Sequence, residues 1–74
     1  MDELVKYGER VQKRRTQRKL TRVQLAELFL PPIDQATISR WERGLVEPSR
    51  HNRAEITRIL GVTPTGYARN GSKT

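Results

Sequence analysis

Seventy-four residues make one small domain, with room for only a limited core. The chain has no cysteine and one histidine, His51, which excludes disulfides, thiolate metal sites and a metal centre built from several imidazoles. Fifteen Lys and Arg against eight Asp and Glu give a net charge of +7, which suits a polyanionic partner, although basic charge also serves solubility.

No apolar run approaches the roughly 20 residues of a membrane span, so no membrane association is expected. The first ten residues are mixed in charge and lack the apolar stretch of a secretory leader. Together with the missing cysteines, this fits a cytoplasmic protein. No cofactor and no small-molecule substrate are expected. A cysteine nucleophile and a glycine-rich phosphate loop are both lacking, and His51 has no evident Ser or Asp constellation, so an enzyme is not expected.

The first helix pattern runs from about Asp2 to Lys19. Asp2 can cap it, and Glu3 suits the first turn. Leu4, Tyr7 and Val11 form a narrow apolar stripe. Gly8 sits inside the pattern at a cost of about 1 kcal/mol, which a tight approach by another helix would explain. Arg10, Lys13, Arg14, Arg15, Arg18, Lys19 and Arg22 then follow with no acidic residue between them. Such a run fits a solvated face or one that meets phosphates.

Thr21 opens the second helix, and Thr21-x-x-Gln24 has capping-box spacing. Leu25, Ala26, Leu28 and Phe29 supply its apolar side. Leu30-Pro31-Pro32 stops it, because proline has no N–H to donate and pushes the residue before it toward extended angles. Asp34 caps a third helix, Gln35 to Arg43, with Ile38 and Trp41 facing inward. Gly44 follows as a left-handed C-cap. Pro48-Ser49 starts a fourth helix, Arg50 to Leu60, with Ala54, Ile56, Ile59 and Leu60 apolar and His51 exposed. Gly61 ends it, and Val62 makes the accompanying apolar contact. Thr63-Pro64 reads as a cap followed by a first-turn proline, opening a short fifth helix through Tyr67 and Ala68. A flexible tail is expected over residues 71–74. The expected core residues are Val11, Leu25, Phe29, Ile38, Trp41 and Ile59.

The two short helices joined by a proline turn are what a helix-turn-helix looks like in one dimension. Gly8-x-Arg10-Val11, Arg15, Leu20-Thr21, Leu25-Ala26-Glu27, Thr37-Ile38-Ser39-x-Trp41-Glu42-x-Gly44, Pro48 and Leu60-Gly61-Val62 recur in one order and spacing. On these residues the chain resembles the XRE family of helix-turn-helix domains, the fold of lambda-type phage repressors and Cro proteins. The resemblance covers about Gly8 to Asn70. It implies an all-α bundle of four to five short helices, with residues 1–70 as the DNA-binding domain and 21–44 as the helix-turn-helix.

Family roles transfer by position. Gln35, Ala36, Ser39 and Arg40 match positions that reach base edges. Gln can bond adenine N6 and N7 together, and Arg can bond guanine O6 and N7. Gln35 could equally be a solvated first-turn residue, and Arg40 a phosphate contact or an intrahelical partner. Thr21, Arg22, Thr37 and Arg43 are the expected phosphate contacts, with pure capping an equal reading of Thr21. The resemblance implies an ion pair between Arg15 and Glu42, and Trp41 reads as core. The implied function is a sequence-specific regulator, a repressor of Cro or phage type. It would act on an operator in double-stranded DNA in a bacterial nucleoid or a phage-infected cell. Any homodimer would be weak, formed through the region of Thr63 to Tyr67 and completed on DNA.

Two departures from the family pattern stand out. The connection Leu30-Pro31-Pro32-Ile33-Asp34 is two residues longer than usual and has no glycine. Ile33 is expected to take the buried aliphatic place of that turn. Leu45-Val46-Glu47 lacks the basic residues relatives often carry, so these two apolar side chains suit a protein partner or an adjacent helix. The former favours the alternative of an antitoxin-like or adaptor module.

Overall fold

The computed structural model describes residues 2–67. Helix α1 spans Glu3–Gln17, α2 Arg22–Glu27, α3 Gln35–Glu42 and α4 Arg50–Leu60, followed by strands β1 (Val62–Thr63) and β2 (Gly66–Tyr67). Each helix begins at a side-chain cap. Asp2 accepts from Leu4 N at 2.9 Å. The Thr21 hydroxyl accepts from Gln24 N while the Gln24 carbonyl accepts from Thr21 N, closing the capping box. Asp34 accepts from Ala36 N and Ser49 from Asn52 N. These acceptors occupy N–H groups that the first turn of a helix leaves unpaired.

The chain end departs from the expected fifth helix. Val62 pairs with Tyr67 and Thr63 with Gly66 in an antiparallel hairpin, so Thr63 ends a strand and Pro64-Thr65 forms a tight turn rather than a helix start. Arg10 from α1 favours the hairpin: its Nη2 donates to Pro64 O at 2.7 Å, tying the turn to α1. Ala68 and the expected tail, 71–74, lie outside the described residues. Leu28 also departs from expectation. Helix α2 ends at Glu27, which swings Leu28 outward to 45% exposure and leaves the buried side to Leu25, Ala26 and Phe29.

The core is Tyr7, Val11, Leu25, Ala26, Phe29, Ile38, Trp41, Ile56, Leu60 and Val62, with Leu20, Ile33 and Ile59 packed at its edge. Phe29 and Trp41 meet at a tilt of 46°, with centroids 5.6 Å apart, an attractive arrangement for two ring quadrupoles. Ala54 is exposed.

Helices α1 and α3 cross closely at Gly8. A Cβ there would lie 2.1 Å from the Trp41 carbonyl oxygen and 3.0 Å from that of Glu42. The helix cost of this glycine is the condition for that contact. Gly44, at φ 71°, ends α3 against Val5 of α1, and Gly61, at φ 70°, ends α4. Beneath the crossing, Arg15 Nε donates to Glu42 Oε2 at 2.6 Å and Arg15 Nη2 to Oε1 at 3.3 Å. Arg15 Nη1 also donates to Leu20 O at 2.8 Å.

Much of the basic run is spent on the fold. Arg14 Nη1 donates to Leu60 O at 2.9 Å, and Arg18 donates to Ile59 O. These are carbonyls at the end of α4, which have no partner within the helix and carry its negative pole. The Arg14 guanidinium also lies 4.6 Å from the Tyr67 ring centre. Arg10, Arg14 and Arg18 of the run thus have carbonyl partners within the fold, and Arg15 makes the expected pair with Glu42.

The Tyr7 hydroxyl is buried without a hydrogen-bond partner among the described residues. Burial pushes its pKa up to about 12 against the opposing pull of Arg53 and Arg10. Three outcomes follow for stability, each read by thermal and denaturant unfolding. Gly8→Ala lowers stability by at least ~2 kcal/mol, since helix backbones must separate to admit the methyl group. Tyr7→Phe raises it by about 1 kcal/mol, since an unpaired buried hydroxyl is removed without loss of volume. Arg15→Ala costs up to about 3 kcal/mol by leaving the buried Glu42 carboxylate with one of its two guanidinium partners, and a double-mutant cycle with Glu42→Ala shows strong coupling.

Candidate nucleic-acid interface

Helix α3 is two-sided. Its periodicity turns Ile38, Trp41 and Glu42 inward, where all three are buried. Ala36, Arg40 and Arg43 fall on the other side with Ser39 at its flank, Arg40 and Arg43 exposed and Ala36 and Ser39 half-buried; Gln35 shares the stripe of Ile38 and Glu42 but is exposed as the first residue of the helix. The structure thus places Ala36, Ser39 and Arg40 with Arg43 away from the core side of α3, and Gln35 at its exposed start. Thr37 lies at the other flank, half-buried.

The start of α2 is joined to the end of α3. Arg22 Nε donates to Glu42 Oε1 at 3.0 Å, so one carboxylate serves both Arg15 and Arg22. The Glu42 side chain is 1% exposed and that of Arg22 40%. Two guanidiniums against one carboxylate leave a net positive charge, and Arg22 is where it reaches solvent. With Nε committed to Glu42, the Nη groups of Arg22 remain for an outside acceptor. Thr21 uses its oxygen to accept from Gln24 N, which leaves its own O–H to donate.

The long connection between α2 and α3 is held from α4. Leu30 N donates to Glu55 Oε1 at 3.0 Å, His51 Nε2 lies 2.9 Å from Leu30 O, and Arg58 Nη2 donates to Leu28 O at 3.0 Å. Arg58 also donates to both Glu55 oxygens, at 2.8 and 3.0 Å. The bond from Arg58, together with that from Leu30 N, brings the Glu55 carboxyl down to about 2 despite its burial. Ile33 N returns the chain to Ala26 O at 3.2 Å, and its side chain packs at the core edge. Sequence reasoning missed this group, since it assigned Glu55 and Arg58 no role and His51 only an exposed place on α4. Their spacing from His51, by four and seven, is the signal that places all three on one helix stripe.

Leu45 and Val46 are 59% and 44% exposed after α3. No cluster of three or more His, Cys, Asp or Glu able to hold a metal occurs among the described residues. Nor is any described helix long and apolar enough to cross a membrane.

Comparison with known proteins agrees with this geometry. The HTH-type transcriptional regulator DicA of Escherichia coli (strain K12) is 36% identical over 58 residues, which cover 78% of this chain and 42% of that protein. The match therefore spans less than half the length of this relative. Residues 11–67, from the middle of α1 to the end of the hairpin, match the helix-turn-helix family. That match takes in α2, the proline turn and the two-sided α3, and the chain belongs to the XRE-type helix-turn-helix family.

Proposed function

We propose that this protein is a DNA-binding transcriptional regulator that inserts α3 into the major groove of an operator. One observation carries the reading: α3 leaves Gln35 exposed at its start and Arg40 and Arg43 exposed opposite the core, braced from behind through Glu42. Family membership and the resemblance to a transcriptional regulator support it, and the net charge of +7 suits a polyanion.

Gln35 and Arg40 supply donors and acceptors of the kind that discriminate bases by about 1–3 kcal/mol per good pair. Ala36 suits a thymine methyl, and Ser39 a nearby base edge. Arg22, Thr21, Thr37 and Arg43 contact phosphates and set register without reading sequence. The regulator acts as a repressor by occupying its operator, within the cell compartment that holds the DNA. One such helix covers only a few base pairs, so two copies bind related half-sites about one helical turn apart, completing a weak dimer on DNA.

The test is selection from a library of short duplexes in excess competitor DNA at two salt concentrations. A palindromic site is expected. Gln35→Ala and Arg40→Ala flatten the preference at individual base positions. Arg22→Ala weakens all sequences alike and reduces the salt slope by about one unit. Weak, sequence-blind binding throughout would overturn the reading and favour a protein-binding module that uses Leu45 and Val46.

A further inference from the structure

The connection from α2 to α3 contains Pro31 and Pro32, neither of which has an N–H. It cannot hold itself in place by backbone pairing across those residues. A bond from Ile33 N to Ala26 O ties its far end to α2, and α4 holds its near end. His51, Glu55 and Arg58 meet Leu30 O, Leu30 N and Leu28 O from one stripe of the helix. A carbonyl only accepts, so His51 Nε2 carries the proton toward Leu30 O. Glu55 is buried, and its ion pair with Arg58 keeps both side chains set against the turn.

We propose that His51, Glu55 and Arg58 are positioning residues for DNA reading: they fix the turn to α4 and so set the angle at which α3 is presented. This rests on the DNA-reading function proposed above. The two short spans from Leu30 to Asp34 and from Asp34 into α3 transmit the position of the turn directly to Gln35, the first residue of that helix. Base contacts tolerate errors of only about 0.5 Å or 10–20°. Phosphate attraction is long-ranged and far less demanding. A loosened turn thus loses discrimination while retaining general affinity.

The charge-balanced double variant Glu55→Ala/Arg58→Ala removes one charge of each sign, leaving the electrostatic attraction to DNA unchanged. Its affinity is measured on the duplex selected by the wild-type protein and on a scrambled duplex, at fixed salt and at a temperature where circular dichroism shows it folded. The ratio of the two affinities falls by about tenfold to a hundredfold, with scrambled-duplex affinity and salt slope kept. Glu55→Gln, which retains an acceptor for Leu30 N, recovers part of the ratio. His51→Ala, at an exposed position, shows a smaller fall and decides the matter if the double variant does not fold. A wild-type ratio in folded His51→Ala and in the folded double variant overturns the proposal. An equal loss on both duplexes overturns it too, by reducing the group to general support. If the wild-type protein itself prefers no sequence, the DNA-reading function fails first and this role fails with it.

Discussion

The placement of α3 depends on one buried carboxylate. Glu42 accepts from Arg15 on α1 and from Arg22 on α2, so a single side chain joins three helices. Removing an ion from water is expensive, and attraction offsets that cost only where the geometry satisfies the carboxylate. Here two guanidiniums do so, and Gly8 is the accompanying condition, since any side chain there would push α1 off the carbonyls of Trp41 and Glu42. The crossing and the ion cluster are therefore one arrangement: the missing Cβ lets the helices meet, and the charges fix how they meet.

The arginines of α1 show how a basic composition divides its work. Arg10, Arg14 and Arg18 reach carbonyls at the end of α4 and in the hairpin turn, closing groups that would otherwise lack donors. Their charge still adds to the field around the domain, but their donors are engaged. A count of Lys and Arg reports total charge. It does not separate the part that acts within the molecule from the part offered outward, and on α3 the latter is Arg40 and Arg43.

Local rules were the legible part of this fold. Asp2, Thr21, Asp34 and Ser49 are small polar residues ahead of apolar periodicity, and each caps a helix. Gly44 and Gly61 stand where a left-handed residue ends a helix. The two-sided pattern of α3 was legible for the same reason, since 3.6-residue periodicity is a property of the segment alone. Thr63-Pro64 misled because its helix signal is also local, while the hairpin answers to Arg10, more than fifty residues earlier. The group on α4 was hidden likewise. Polar residues on a helix default to solvent in a sequence reading, and only the folded turn shows that Glu55 and Arg58 have carbonyl and amide partners.

The division of labour within α3 has a consequence for how such a protein can change. Ile38, Trp41 and Glu42 hold the helix to the domain, and Gln35, Arg40 and Arg43 are exposed. No residue belongs to both sets. The outward letters can be rewritten with little claim on the inward ones, so preference for a target can drift among descendants of this chain while the scaffold beneath stays constant.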